Sequence, residues 1–392
     1  MRILIYSHSF SPSVGGVETF VKRLASGLPR QFQAGKASIT VVTNTPDNSA
    51  DTRARVPYAV ERQPGPIRLW RLVGESDVIL LAGPALLPIL FGLLRSKRLV
   101  VTHHGYQTVC PNGLLFHLPS QSLCPGHFRA KHYLECVRCC MLEGSLINAV
   151  LRVLLTIPRR ILCSRVEHNI AVSEHLGNRI ELVKTKVIRN GVPLTTEQEL
   201  GKDYAEHSSR FVYIGRLVAE KGVDVLLRAA RILRDSGLSF QVLIVGDGPE
   251  RLTLERLCGQ LGLAGNIEFL GFKSGEEVEK LLEQPFVSVV PSVWEDVAPF
   301  SPLEQMMAGK AIIAADIGGL AEEVGGAALK FPPGDSAALA GQMLKLIISP
   351  QFAVSLGEKA RARARDLYSL EEMISRYAEL LRSPRERLDD DS

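Results

Sequence analysis

The sequence lacks the features that mark membrane-spanning, secreted and dinucleotide-binding proteins. None of its uncharged apolar runs reaches the roughly 18 residues that a transmembrane helix needs. Its first residues, MRILIYSHSF, lack the apolar core and the small-residue cleavage site of a signal peptide, so a cytoplasmic location is expected. The Gly246-x-Gly248 pair has Arg251 where the NAD fingerprint has a third Gly or Ala, which argues against NAD binding.

The composition indicates a globular protein with an uneven distribution of charge. The chain has 392 residues, of which 46% are hydrophobic and 22% charged, and this length predicts two domains. Residues 1–190 carry 24 Lys and Arg against 11 Asp and Glu, a net +13, and the remainder carries 22 against 31, a net −9. No nucleic-acid motif accompanies the basic half, so a membrane surface or a phosphorylated acceptor is the expected anionic partner. A basic domain without such a partner is the alternative.

Short apolar runs alternate with helical patterns along the chain. Runs such as Val78–Leu81, Leu99–Thr102 and Gln241–Val245 are nearly continuous, which is typical of parallel strands buried on both faces. The alternation predicts an α/β protein with doubly wound parallel sheets. The predicted parts are an N-terminal domain over 1–193 with a cysteine-bearing insertion over 106–145, a linker over 194–209, a C-terminal domain over 210–368, and a final helix over 369–392.

An acidic loop follows one of these predicted strands. The strand covers Val287–Val290, and the loop contains Glu295 and Asp296. A helix should follow, with Ser301 as its N-cap and Glu304 in its first turn. Ligands bind at the carboxyl ends of parallel strands, where carboxylates accept hydrogen bonds from sugar hydroxyls and a helix start holds phosphate. The alternative is that these carboxylates only stabilise the helix start.

Two turns of the N-terminal domain are further candidates. Gly15 and Gly16 precede a predicted helix, where glycine lets a ligand approach the backbone closely. His103 and His104 end a strand before Gly105, at an edge where sites form. The alternative is that these are ordinary turn glycines and loop histidines. A metal site at the histidines is disfavoured, because no carboxylate or third His lies at a suitable spacing nearby.

Five of the seven cysteines lie in one stretch of 31 residues inside the insertion, from Cys110 to Cys140. The Cys136-x-x-Cys139 pair has the spacing of a metal clip, and Cys110 and Cys124 complete four ligands. A structural metal site is therefore one prediction. Reduced thiols packed in a loop subdomain are the other, because disulfides are disfavoured in the cytoplasm.

Two stretches are both apolar and basic. They are LLPILFGLLRSKR over 86–98 and LINAVLRVLLTIPRRILC over 146–163. Both predict contact with an anionic membrane surface. The alternative is a buried helix whose arginines extend their charged ends to water.

Together these segments resemble the retaining glycosyltransferases of family 4, the glycosyl transferases group 1 with the GT-B fold. The resemblance extends over about residues 1–335, and its segments occur in one order. They are GGVE from Gly15, HHG from His103, VSEHL, VIRNGV, IGRLVAEKGVDVLL, LIVGDGPE, IEFLGF, the acidic loop with its helix, and GGLAEE.

The resemblance implies two Rossmann-like domains facing a cleft, with the final helix crossing back to the N-terminal domain. It assigns the diphosphate of a nucleotide sugar to Arg216 and Lys221, so that no catalytic metal or other cofactor is required. It assigns the ribose hydroxyls to Glu304, the transferred sugar to Asp296, and contact with sugar and acceptor to His104. The implied donor-binding set is Gly15, Gly16, Arg216, Lys221, Gly246, Gly271, Asp296, Pro299, Phe300, Ser301 and Glu304.

The acidic loop departs from the family pattern. The family has Glu where Asp296 stands, and often Gly where Ser301 stands. Because Asp is one methylene shorter, either the loop moves inward or Glu295 takes the role. These changes affect the identity of the sugar more than activity.

The expected function is transfer of a hexose from a UDP- or GDP-sugar to a glycan acceptor, with a lipid-linked glycan as one candidate, in polysaccharide or glycoconjugate biosynthesis. The alternatives are a nucleotide-sugar epimerase or hydrolase of the same fold, a non-catalytic subunit that binds nucleotide sugar or glycan, and a metal-dependent binding module. The protein is expected in the cytoplasm or on the inner face of the membrane.

Overall fold

The computed structural model describes residues 1–33, 36–46, 56–195 and 209–382, which divide into two compact units. The first unit contains Met1–Pro119, Cys124–Gly191 and the C-terminal residues from Leu370. The second contains Ser120–Leu123 and Val192–Ser369. Most of the predicted linker, and the tail from residue 383, lie outside the described residues.

Nine strands are described before residue 188, and seven of them form one sheet in the first unit. They are β1 (Arg2–Ser7), β2 (Ser38–Thr43), β3 (Ala59–Arg62), β4 (Val78–Ala82), β5 (Arg98–His103), β6 (Phe116–His117), β7 (Ser122–Leu123), β8 (His168–Ala171) and β9 (Thr185–Val187). The sheet order is β3-β2-β1-β4-β5-β8-β9, and every neighbouring pair is parallel. All five residues of β4 are buried, as its continuous apolar sequence predicts.

Helices connect these parallel strands. They are α1 (Gly16–Gln31), α2 (Pro66–Glu75), α3 (Leu86–Leu94), α4 (Tyr133–Met141), α5 (Leu146–Cys163) and α6 (Glu174–Ile180). Sequence patterns assigned no element to residues 46–76, which are rich in Pro, Arg and Gly; the structure describes β3 and α2 within this stretch.

The second unit repeats this architecture. Its sheet has the order β12-β11-β10-β13-β14-β15, and every neighbouring pair is parallel. The strands are β10 (Arg210–Ile214), β11 (Gln241–Val245), β12 (Ile267–Gly271), β13 (Val287–Val290), β14 (Ala311–Ala315) and β15 (Leu329–Phe331). The helices are α7 (Val223–Asp235), α8 (Arg251–Gln260), α9 (Glu276–Glu283), α10 (Phe300–Met307), α11 (Gly318–Val324), α12 (Ser336–Ile348) and α13 (Pro350–Leu367).

The last described helix, α14 (Leu370–Arg382), belongs to the first unit. Its Tyr377 is fully buried, lies 3.0 Å from the Thr102 hydroxyl and packs edge-on against Phe20 of α1. Arg98 donates to the carbonyl oxygen of Leu381 at 2.9 Å. The core of the first unit is therefore completed by residues from the far end of the chain.

Among the described helices, none is by itself long and apolar enough to cross a membrane. One pair, Ser336–Ile348 with Pro350–Leu367, passes that test by length and composition together, although it bends by 107° at the break.

A buried lysine supports the connection between α10 and β14. Lys310 is 1% exposed, and its ammonium donates to the carbonyl oxygen of Gln284 at 2.7 Å. The ammonium also lies 5.0 Å from the centre of the Phe286 ring. Burial, with a smaller contribution from the charge of Arg361, lowers the pKa of Lys310 from 10.5 to about 8.

We therefore expect Lys310 to make stability rise with pH. Between about pH 8 and 10.5 the unfolded chain keeps a proton on this lysine that the folded protein has released. The free energy of unfolding of the wild type should then rise relative to that of Lys310→Met, by about 1–3 kcal/mol. Urea unfolding of both proteins at pH 7, 8, 9 and 10 measures this difference. Parallel stability curves for the two proteins would contradict the assignment.

Candidate functional site

The candidate site of the second unit is built at the carboxyl ends of two adjacent strands. β10 and β13 are parallel neighbours, with Phe211 opposite Val287. The loop after β10 carries Arg216 and Lys221, and the loop after β13 carries Glu295 and Asp296. Because both strands end at the same edge of the sheet, the two loops are brought together there.

An ion pair joins the two loops. The Lys221 ammonium contacts an oxygen of the Asp296 carboxylate, and the two side chains are only 16% and 7% exposed. The ammonium also lies 5.5 Å from the centre of the buried Trp294 ring, within the range of a cation–π contact. The pair of residues to which the resemblance assigns diphosphate and sugar is therefore in direct contact, 75 positions apart in sequence.

Backbone contacts hold this arrangement. The Val293 N–H donates to the carbonyl oxygen of Glu220 at 3.0 Å. Gly222 adopts a positive φ of 64°, and a Cβ there would lie 2.1 Å from the Pro291 oxygen. Only glycine fits such a close approach, so Gly222 sets the separation of the two loops.

Arg216 differs from Lys221 in its surroundings. Its side chain is 69% exposed, with its guanidinium 3.9 Å from the buried carboxylate of Glu220. The buried Tyr213 hydroxyl donates to the carbonyl oxygen of Arg216 at 2.7 Å, and burial raises the pKa of that phenol. The backbone of Arg216 is thus fixed, while its charged end faces water.

The start of α10 corrects one prediction. The helix begins at Phe300 with Pro299 as its N-cap, so Ser301 is not the cap. The Ser301 hydroxyl instead donates to the carbonyl oxygen of Ile214 at 2.8 Å, which ties α10 to the end of β10. Glu304 consequently lies in the second turn and is half-buried.

Gly246 and Gly271 have structural roles that their sequence context does not show. Gly246 has φ of 142°, and a Cβ there would lie 1.8 Å from the Gly215 oxygen. The Gly246 N–H donates to the carbonyl oxygen of Gly271 at 2.8 Å. These glycines pack the ends of β10, β11 and β12 against one another immediately beside Arg216.

Two carboxyl side chains of this region were missed by sequence reasoning. Glu220, beside Arg216, is 7% exposed, and Glu323 of α11 is 2% exposed. Glu323 stands beside Glu322 in an ordinary helical pattern, so the sequence contains no signal that tells which of the two is buried.

In the first unit the two histidines of the HHG turn have different surroundings. His103 is buried, with its Nε2 2.9 Å from the Asn169 side-chain oxygen. The His104 ring packs edge-on against Phe20 at 4.5 Å, and its buried Nε2 has no hydrogen-bond partner within the described part of the chain. Burial lowers the pKa of His103 to about 4 and that of His104 to about 3. Both rings are therefore neutral at pH 7.

The GGVE turn forms the start of α1. Gly15 is the N-cap in an extended conformation, Gly16 is the first helical residue and is exposed, and Glu18 lies in the first turn. The first amides of the helix have no intrahelical acceptor, which is the arrangement that binds phosphate in other proteins.

The predicted metal site of the cysteine insertion is not found. Within the described ranges, which include all seven cysteines, no group of three or more His, Cys, Asp or Glu residues is arranged to hold a metal ion. The Cys110 thiol donates to the Asn112 side-chain oxygen at 2.9 Å, and the Asn112 amide donates to Cys139 at 3.2 Å. Burial raises the pKa of Cys110 and Cys136 to about 12, so in the absence of a metal both are protonated thiols.

Comparison with known proteins shows what this chain is similar to. Residues 198–363 match the family model of the glycosyl transferases group 1. The alpha-D-kanosaminyltransferase of Streptomyces kanamyceticus is 32% identical over 161 residues, which are 41% of this chain and 42% of that protein. The D-rhamnosyltransferase WbpZ of Pseudomonas aeruginosa is 32% identical over 196 residues, 47% of this chain and 50% of that protein. The chain spans half or less of the length of these two relatives.

Solved structures show the fold. HepE of Anabaena, in complex with UDP and glucose, has a TM-score of 0.73 at 20% identity and covers 98% of this chain and 100% of its own. WaaG, a glycosyltransferase involved in lipopolysaccharide biosynthesis, has a TM-score of 0.67 at 13% identity, with 97% and 100% coverage. The predicted GT-B fold, with its parallel α/β sheets, is confirmed.

The contact of Gly222 with Pro291 yields a prediction about the site. We expect Gly222→Ala to destabilise the protein by about 1–3 kcal/mol, because alanine is strained at this φ and its methyl group meets a carbonyl oxygen. The same change should separate Lys221 from Asp296. Thermal unfolding measures the loss. Gly326→Ala is the matched control, because no atom lies within 4 Å of a Cβ at that position. Equal melting temperatures for the two variants would contradict the prediction.

Proposed function

We propose that this protein is a retaining, metal-independent glycosyltransferase that moves a hexose from a UDP- or GDP-sugar to a glycan acceptor. The observation that carries the proposal is the meeting of Lys221 with Asp296, beside the exposed Arg216, at the carboxyl edge of the sheet in the second unit. An exposed guanidinium and a buried ammonium suit the two negatively charged groups of a diphosphate. Carboxylates suit the hydroxyls of a sugar and a ribose.

Charge development explains why these cations matter. When the bond between sugar and diphosphate breaks, negative charge grows on the leaving phosphate oxygens, and cations already in place stabilise it without reorganisation. The acceptor hydroxyl would attack from the face that the phosphate leaves, and the phosphate would take its proton. A UDP-sugar is the first donor to test, since HepE, whose fold this chain shares, was solved with UDP and glucose.

The first test measures nucleotide binding. A thermal-shift screen with UDP, GDP, ADP and their common sugar conjugates should raise the melting temperature with one nucleotide class, because a ligand of the folded state stabilises it by mass action. Arg216→Ala and Lys221→Ala should lose this thermal shift. With an acceptor that supports turnover, each variant should release nucleotide about 10²–10³-fold more slowly than the wild type. Arg228→Ala, which removes an exposed arginine of α7, is the control. Wild-type turnover in both site variants would exclude the proposed role, and donor binding without turnover would favour a binding subunit.

We also propose that the protein works at the cytoplasmic face of a membrane, through an apolar surface of the first unit. The buried residues of α5 are Ala149, Val153, Thr156 and Cys163, whereas eight of its large apolar side chains are exposed. The exposed side chains are 37–72% accessible and repeat at helical spacing, so they share one face: Leu146, Ile147, Val150, Leu151, Leu154, Leu155, Ile157 and Ile161. Exposed apolar patches of this kind mark interaction sites.

The neighbouring helices extend this surface. α3 and α4 both contact α5. They also carry exposed large side chains, namely Leu87, Leu90 and Leu94 from α3 and Leu134 and Met141 from α4. We call these residues, together with those of α5, the α5 apolar surface.

The charge around this surface selects its partner. Residues 86–165 contain 10 Lys and Arg, of which Arg98 and Arg129 pair with Glu167 and Glu181 outside the segment, but only two acidic residues, a net +8 for this segment. Both acids are already paired, Glu135 with Arg138 and Glu143 with Arg152. A second copy of the chain would bring two cationic surfaces together. An anionic bilayer instead offers an apolar acyl-chain region for the leucines and negative headgroups for the arginines.

Vesicle binding tests this surface. We expect the protein to sediment with vesicles that contain phosphatidylglycerol, more weakly at 0.5 M salt, and poorly with pure phosphatidylcholine. Leu151→Glu with Leu154→Glu should cut the bound fraction at least several-fold, because each carboxylate would have to enter the interface. Ile348→Glu, at a residue of the second unit that is 69% exposed, is the matched control. An equal loss in the control, or no loss in the double variant, would contradict the proposal.

A further inference from the structure

Glu323 is buried in the second unit, yet none of the steps above uses it. It is 2% exposed, and within the described part of the chain neither of its carboxyl oxygens has a hydrogen-bond partner. Its backbone carbonyl is occupied, since it accepts from Arg363 Nε at 2.8 Å and from the Tyr368 hydroxyl at 3.3 Å. The main chain is therefore fixed, while the carboxyl group keeps an unused capacity for hydrogen bonding.

The position of α11 places this carboxyl behind the acidic loop. The Gly319 N–H donates to the carbonyl oxygen of Asp296 at 2.6 Å, and a Cβ on Gly319 would lie 1.9 Å from the Val297 oxygen. Residues four apart share a face of a helix, so Glu323 follows Gly319 on the face that meets the loop. The carboxyl lies one helical turn beyond the point where α11 contacts Asp296.

The charges that face Glu323 determine its protonation. Burial is the largest cause that raises the pKa of Glu323 well above its ordinary 4.5, and the charges of Asp296 and Glu322 raise it further. Lys221 acts in the opposite direction. From α13, the Arg363 guanidinium is engaged with the carbonyl oxygens of Glu322 and Glu323. These effects favour the neutral acid, and a neutral Glu323 has one O–H to donate.

The O–H donor of Glu323 becomes useful if Lys221 leaves Asp296 to bind a ligand phosphate. In the structure the charge of Asp296 is balanced by Lys221. A diphosphate that attracts Lys221 would leave a buried carboxylate without its cation, which is costly unless a hydrogen bond replaces it. We propose that Glu323 is a positioning residue whose acid proton supports the Asp296 carboxylate while Lys221 binds the diphosphate of the donor. This inference rests on the proposed function, and the proton remains on Glu323 throughout.

Two substitutions distinguish the loss of the Glu323 hydrogen-bond donor from a change in the size of its side chain. Glu323→Gln keeps a donor of the same size, and Glu323→Val removes it. Calorimetric titration with UDP and with GDP from pH 5 to 10 should show near-wild-type affinity for Glu323→Gln at pH 7 and about tenfold weaker binding for Glu323→Val. As the pH rises through the pKa of Glu323, wild-type affinity should fall, because two carboxylates then hold Lys221. Glu323→Gln should not show this fall. Glu358→Gln, at an exposed residue of α13, should follow the wild type.

Thermal unfolding without nucleotide provides a second readout. Because the pKa of Glu323 is raised in the folded protein, the wild type should lose stability relative to Glu323→Gln as the pH rises from about 4.5 through that pKa. A difference in melting temperature between the wild type and Glu323→Gln that does not change with pH would contradict the assignment of Glu323 as a neutral acid. Wild-type affinity of Glu323→Val for UDP and GDP at every pH would overturn the positioning role alone. Absence of UDP and GDP binding by the wild type itself, with the stability trend present, would overturn the proposed function and the positioning role together.

Discussion

The contact between Lys221 and Asp296 is the interaction on which the candidate site depends. Two charges that are 84% and 93% shielded from water lose much of their hydration, and their attraction compensates only if the geometry is maintained. Removal of either partner would leave a buried charge alone. The pair is therefore stable only because the backbone of two loops holds it, and a ligand phosphate that attracts Lys221 must offset what Asp296 loses.

The loops achieve this by backbone-to-backbone packing. Gly222 against Pro291, Gly246 against Gly215 and Gly319 against Val297 are three places where a single methyl group would collide with a carbonyl oxygen. All three lie at the carboxyl edge of one sheet. Such packing leaves the charged groups little freedom to move. The free energy needed to position them is therefore spent when the chain folds, so that the site is already arranged when a ligand binds.

The sequence was sufficient for many elements, though not for β3 and α2, and insufficient for their contacts. The continuous apolar run Val287–Val290 predicted β13 at the observed residues, because a strand buried on both faces needs no alternation. Ser301 was misassigned because a serine before a proline is a typical helix start, whereas its hydroxyl is used by the end of β10. The Cys136-x-x-Cys139 spacing suggested metal, but spacing does not report that Asn112 already bonds two of the cluster's sulfurs. Nor does the Glu322-Glu323 pair reveal which side chain is buried, since tertiary packing decides it.

The first unit presents the opposite physical situation. A surface helix of an isolated protein normally turns its leucines inward, yet α5 buries Ala149, Val153 and Thr156 and leaves Leu151 and Leu154 exposed. Its exposed leucines therefore contribute little hydrophobic free energy to the unit and would gain that energy only in an apolar environment. The basic composition of residues 86–165 is the reason for proposing anionic headgroups, rather than a second copy of the chain, as the partner of this face. On that proposal, the first unit would work at the lipid surface, where a lipid-linked acceptor would be concentrated.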